Sequence, residues 1–185
     1  MNILAARKYA TPRNGPLTLE QSDTRRLAYS IKSTASPSID FDTAARKMAA
    51  LITGPCWLVP IPDSNGNTDA NTRLAHHIAR HVNANAAGMV ASAAGTAQVV
   101  KAIYRTQPVQ SQCARHKLAL GPIAPEQHHL ARNRKVLTLR QTYFVDNVTT
   151  SGHTLEVARL ALDFGAGLVF ADAATRRTQM QATLL

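Results

Sequence analysis

The sequence predicts an α/β domain in which a mostly parallel, twisted sheet is flanked by helices, and three observations predict it. The run Tyr143-Phe144-Val145 is apolar enough for a buried strand, ends in Asp146, and breaks into a hydroxyl-rich turn before Leu155, Ala158 and Leu162 set up an amphipathic helix. A second unit of the same kind begins with Cys56-Trp57-Leu58-Val59-Pro60-Ile61-Pro62 and passes through a polar loop into a helix with Leu74, Ile78 and Val82 on one side. The composition agrees: the 185 residues are 45% hydrophobic and rich in alanine, which suits helices packed closely on a sheet. Alternating strands and helices make a parallel sheet, whose ligands bind at the carboxyl ends of the strands.

Taken in order, residues 1–39 form an irregular, Pro- and Gly-containing segment ahead of the core. Asp40-Phe41-Asp42 opens a helix whose Ala45, Met48, Ala49 and Ile52 share a face, and Gly54-Pro55 stops it. The strand at 56–62 is continuously apolar, as a strand buried on both faces requires, and its prolines shorten the regular part. Asp63-Ser64-Asn65-Gly66-Asn67-Thr68 is turn chemistry throughout. The helix after it points Arg73, His77, Arg80 and His81 mostly outward. Weaker strands are expected at 88–91, 135–139 and 168–171. The helix after the hydroxyl-rich turn also carries Val157, Ala161 and Phe164 and ends at Gly165. One domain spans the 185 residues, with its core at 40–175 and a tail at 176–185; there is no internal repeat.

Nothing approaches eighteen consecutive apolar residues, so no membrane span and no membrane partner is expected. The first thirteen residues are basic and free of acids, but their apolar part, Ile3 to Ala6, is too short for a secretory signal; a transit peptide is the alternative. Cys56 and Cys113 match no zinc or redox spacing, and a reduced, cytoplasmic protein is the expectation. His77 and His81 stand four apart as a metal pair would, yet no third ligand is placed by spacing, and a polar helix face explains them better. The net charge is +10, and residues 101–140 hold eight Lys or Arg against one acid. Such a concentration suits a polyanion, either a small phosphorylated molecule or nucleic acid. Tyr104 is the single aromatic residue of that segment, so a stacking surface for single strands is missing.

The turn at 147–154 carries the most chemistry. At a helix N-terminus, unpaired backbone N–H groups and the positive end of the dipole favour an anion, and Thr149, Thr150, Ser151 and Thr154 add hydroxyl donors. Asp146, at the end of the strand, faces the same crevice. His153 occupies the variable place inside the turn.

The stretch Val145-Asp146-Asn147-Val148-Thr149-Thr150-Ser151-Gly152-His153-Thr154 resembles the PRPP-binding motif of type I phosphoribosyltransferases, in which two acidic residues follow an apolar strand and lead into Thr-Thr-Gly-x-Thr. The departure is Asn147, an amide where the family has a second carboxylate. Val59-Pro60-Ile61-Pro62 resembles the Val-Pro-x-Pro segment of competence-associated, ComF-like members, although the basic stretch that usually follows is absent here and the first basic residue is Arg73. The resemblance covers roughly residues 56 to 172. It implies a type I phosphoribosyltransferase-like fold with a small variable hood from residues 1–39. It also implies binding of PRPP with Mg²⁺ as cofactor, and displacement at the anomeric carbon by a nitrogen acceptor such as a nucleobase, with release of pyrophosphate. Asp146 and Asn147 would hold the ribose hydroxyls, Asp146 meeting Mg²⁺ indirectly. Thr149, Thr150, Ser151, Gly152, His153 and Thr154 would hold the 5′-phosphate. Asp63, Ser64, Asn65 and Gly66 would grip the pyrophosphate, mainly through backbone N–H groups. Arg105 and Lys117, on a mobile loop and its return strand, would stabilise charge on the leaving group.

Three functions follow as alternatives: an active phosphoribosyltransferase, a PRPP- or nucleotide-binding regulator in which Asn147 marks lost catalysis, and a ComF-like protein whose basic 101–140 region binds nucleic acid. The resemblance allows a homodimer without requiring one, and the acceptor carries no motif.

Overall fold

A computed structural model describes residues 1–10, 15–87, 96–111, 114, 115, 118, 120, 123–133 and 140–173. Its elements are β1 (Ile3–Lys8), α1 (Leu19–Ser30), α2 (Ser38–Ala49), β2 (Cys56–Pro60), α3 (Asp69–Ala87), β3 (Ala97–Val99), β4 (Ile103–Arg105), a 3-10 turn (Pro125–His128), β5 (Leu130–Arg132), β6 (Gln141–Thr149), α4 (His153–Leu162) and β7 (Ala166–Asp172). Five strands pair in parallel in the order β1-β7-β6-β2-β3, and β4 and β5 form a separate antiparallel ribbon. The expected α/β architecture with a parallel sheet and flanking helices is therefore present, and the sheet is consistent with a type I arrangement.

Strand alternation divides the core into two layers. Cys56, Leu58, Tyr143, Val145, Leu168 and Phe170 face α1, α2 and α3, where Leu27, Phe41, Met48, Leu74 and Ile78 are buried. Val59, Ile61, Phe144 and Val169 face the other way, onto Leu155, Ala158 and Leu162 of α4 and Ile103 of the ribbon. Cys56 lies within the first layer, and burial pushes its thiol up to about 11, which leaves it inert as a nucleophile.

The amino-terminal segment is more regular than the sequence suggests. β1 is an edge strand held by β7, with Tyr9 N–H continuing the ladder to the Asp172 carbonyl at 2.8 Å. α1 starts at a reciprocal cap in which Thr18 and Gln21 satisfy each other's backbone donors. At the other end, α4 stops two residues earlier than expected: Asp163 adopts a left-handed conformation at φ +67, and Phe164 lies exposed instead of on the buried face. Gly165 follows at φ +111. β6 runs three residues beyond Asp146, because Val148 and Thr149 still pair with Ala171 and Asp172 of β7. Of the weaker strands, 168–171 is the middle of β7; 135–139 and 88–91 lie outside the described residues.

Connectivity positions the site. From β2 the chain leaves through α3 to β3 on one side, and from β6 it leaves through α4 to β7 on the other. β2 and β6 are neighbours, so the two connections diverge and open a crevice at their carboxyl ends. In parallel α/β sheets that divergence is where ligands bind.

Candidate functional site

A cleft of about 210 Å³ occupies this crevice. Its walls come from Ile61 to Ser64 after β2, from Arg105 and Val109 to Ser111 after β4, and from Asp146 and Val148 to Leu155 around the β6–α4 turn. Three stretches far apart in the sequence, each singled out by its chemistry, thus share one cavity.

Asp146 reaches it from the face of β6 that also carries Phe144, surrounded by protein atoms yet open on the cleft side. Its Oδ1 accepts from the Asn147 backbone N–H at 2.8 Å and from the Asn71 side-chain amide at 3.3 Å. Burial pushes its carboxyl up to about 6, outweighing those two hydrogen bonds and the positive charges of Lys32 and Arg105. Asn71, on α3, also donates to the Ile61 carbonyl at 2.8 Å and so ties the end of β2 to the acid. Nothing in the sequence pattern marked Asn71, because its role depends on the register between α3 and the two strands.

Beyond Thr149, which is buried, Gly152 turns the chain at φ +74, a left-handed conformation suited to glycine, and α4 begins at His153. The Glu156 N–H bonds back to the Gly152 carbonyl at 2.9 Å, so the helix is formed from its first turn. Thr150, Ser151, Gly152, His153 and Thr154 all line the cleft. Asn147 does not, since strand alternation puts it on the opposite face from Asp146; its Oδ1 accepts from the Val148 N–H at 2.8 Å.

The loop after β2 contributes differently from the sequence expectation. Asp63 Oδ1 accepts from the Asn65 and Asn67 N–H groups at 2.8 and 2.9 Å, and the Asp63 carbonyl accepts from Gly66 N–H at 3.1 Å. These donors are committed within the loop and do not point at a ligand. Asn65 and Gly66 stand outside the cleft lining, and Pro62, Asp63 and Ser64 form the contact. Arg73 is likewise engaged elsewhere, bonding the carbonyls of Thr34 and Ser36 and stacking over Phe41 at 4.3 Å.

Arg105 links the walls. Its Nε donates to the Asp63 carbonyl at 2.6 Å and its Nη1 to the His128 carbonyl. Val109 N–H donates to the Ser64 carbonyl at 2.8 Å, which seats the segment after β4 on the loop after β2. Lys117 lies outside the described residues. His128 belongs to no sequence motif, yet it is 96% buried (4% exposed), lines the cleft, and has no hydrogen-bond partner of full geometry for either ring nitrogen among the described residues.

The other histidine pair has a structural role. Asp42 of α2 receives Arg80 and His81 on Oδ1 at 2.5 and 2.9 Å and Arg46 on Oδ2 at 3.0 Å, with His77 at 3.7 Å. His77 and His81 therefore staple α3 to α2, and no cluster of three or more potential metal ligands occurs among the described residues. Within those residues, no helix is long and apolar enough to cross a membrane. Comparison of the chain with protein-family models, curated proteins and solved structures finds no match.

Proposed function

We propose that the chain binds PRPP as its Mg²⁺ complex in this cleft and transfers the 5-phosphoribosyl group to a nitrogen acceptor such as a nucleobase, releasing pyrophosphate. The observation that carries the reading is the convergence of Asp146, the hydroxyl-rich turn of α4 and Arg105 on one cavity at the point where the sheet's connections diverge. The turn of α4 holds the 5′-phosphate on backbone N–H and hydroxyl donors, and that remote binding orients the anomeric carbon. Asp146 accepts from the ribose hydroxyls and, once ionised, favours positive charge on the ribose. Arg105 braces the wall against which pyrophosphate lies.

The donor set fits a metal carried in by the substrate. Two carboxylates line the cleft, Asp63 and Asp146, and each has its Oδ1 already engaged, which suits a largely hydrated Mg²⁺ held by phosphates better than a cage of protein ligands. When bound, Mg²⁺ neutralises charge on the leaving group.

A PRPP-binding regulator is the second reading, favoured by Asp146 being the one acid that the β6–α4 stretch brings to the cleft, with Asn147 an amide on the opposite face of β6. Pyrophosphate release from Mg²⁺–PRPP over a panel of purine, pyrimidine and simple amine acceptors tests the two. Release triggered by one acceptor and reduced at least about a hundredfold in Asp146→Ala supports the transferase. Tight binding without release from any acceptor supports the regulator.

A further inference from the structure

His128 is one of the residues lining the cleft, its backbone carbonyl holds Arg105, and it belongs to a 3-10 turn that leads directly into β5. Both ring nitrogens are shielded from solvent and lack a hydrogen-bond partner of full geometry among the described residues; the Ile123 backbone stands near enough to favour the protonated ring, but by less than burial and Arg105 oppose it. Leaving a buried polar group unsatisfied is costly, so such groups are rare and mark either an internal water or a ligand. Here the ring borders a cavity whose other walls carry Ser64, Thr150, Ser151 and Thr154, all suited to phosphate oxygens.

We propose that His128 is a proton-linked contact for the anionic ligand: in the free protein the ring is neutral, and a phosphorylated ligand entering the cleft draws a proton onto it and takes a charge-assisted hydrogen bond from the imidazolium. The inference rests on the phosphate-binding reading of the cleft but not on PRPP as the particular ligand.

The surroundings supply the physical reason. Burial lowers the tendency of the ring to protonate, and Arg105 on β4, His153 on α4 and the neighbouring His129 lower it further. The acids at the cleft do not offset this: Asp63 is engaged by its own loop, and neither it nor Asp146 is among the groups that favour the protonated ring. A ligand carrying several negative charges reverses the local field, which favours the imidazolium. Turning the imidazole about its soft terminal torsion is the motion by which a ring nitrogen would reach the cavity. The carbonyl of the same residue fixes Arg105, so one short turn sets the positions of two cationic contacts.

Calorimetric titration at pH 7.5 with Mg²⁺–PRPP and, separately, with Mg²⁺–pyrophosphate, each in two buffers of different ionisation enthalpy, measures protons taken up on binding. The expected result is uptake of roughly half a proton or more by the wild type and near none by His128→Gln, with affinity about tenfold weaker in that variant. His76→Gln, at an exposed position of α3 outside the cleft lining, serves as the comparator and retains the uptake. In the wild type, the imidazole resonances of His128 should titrate at higher pH with ligand than without it, a readout that does not depend on the variant folding. Binding of either ligand with equal uptake in wild type and His128→Gln, or an unchanged His128 titration, overturns the inference and leaves the transferase reading standing. Uptake with pyrophosphate but no binding of PRPP supports the role of His128 and sinks PRPP as the ligand. No binding of either ligand overturns both.

Discussion

At the scale of single residues, Asp146 shows function opposing stability. Its carboxyl is raised to about 6 in the folded protein against an ordinary value of 3.8, so the folded state holds a proton that the unfolded state has lost between those values. Stability therefore falls as pH rises from about 4 to above 6, and the full penalty, on the order of 2–3 kcal/mol, is present at neutral pH. Asp146→Asn should raise the urea midpoint at pH 7.5 and leave it nearly unchanged at pH 4, while ligand binding is lost. Asp42 works in the opposite sense. Burial resists its ionisation, but Arg46, His81 and Arg80 outweigh burial and hold the carboxyl well below the usual range. Its contribution is present above about pH 4 and is lost as pH falls toward its folded value. Asp42→Asn should cost about 1 kcal/mol at pH 7, less at high salt, in the same unfolding assay. The spacing of His77 and His81 was legible in the sequence, but their partner stands 35 or more residues away on another helix, so only packing reveals that the pair is a staple.

At the scale of elements, the strongly periodic segments were readable and the edges were not. β2, α3, β6, α4 and β7 each announce themselves by buried apolar residues at strand or helix spacing. β1 does not: Ile3–Lys8 shows no alternation, its exposure is intermediate over most of its length, and it is a strand because β7 offers it an unpaired edge. The cap of α1 is carried in the sequence by Thr18-Leu19-Glu20-Gln21, the spacing of a capping box. The close of α4 depends on Gly165, where an added Cβ would stand 2.6 Å from the Phe144 ring at a φ that L-residues rarely adopt. Gly165→Ala should destabilise by about 2–4 kcal/mol in thermal or urea unfolding, since Phe144 is buried and cannot yield. Arg105 is the corresponding fastener of the β4–β5 ribbon. Arg105→Ala removes its bonds to the Asp63 and His128 carbonyls. Faster proteolysis within 106–127 and weaker anion binding should follow, and a cleavage rate equal to wild type would contradict the bracing role.

At the scale of the whole molecule, the chain's topology and its charge point to the same place. The connections after β2 and β6 diverge, the divergence opens the cleft, and the basic segment 101–140 supplies one of its walls through Arg105. The cleft was legible as three separate chemical signals, whereas their meeting was not, because it depends on β2 and β6 being neighbours. A small polyphosphate in a cleft and nucleic acid along a surface differ in salt dependence. Oligonucleotide binding through several phosphates should weaken at least about a hundredfold between 50 and 200 mM salt, and cleft binding of one ligand should weaken much less. The most direct test of the account is calorimetry with Mg²⁺–PRPP on the wild type and on Asp146→Asn, beside their unfolding curves. The account predicts micromolar binding to the wild type and none to a variant that is more stable than its parent at neutral pH. Equal binding by both proteins, or none by the wild type, would contradict it.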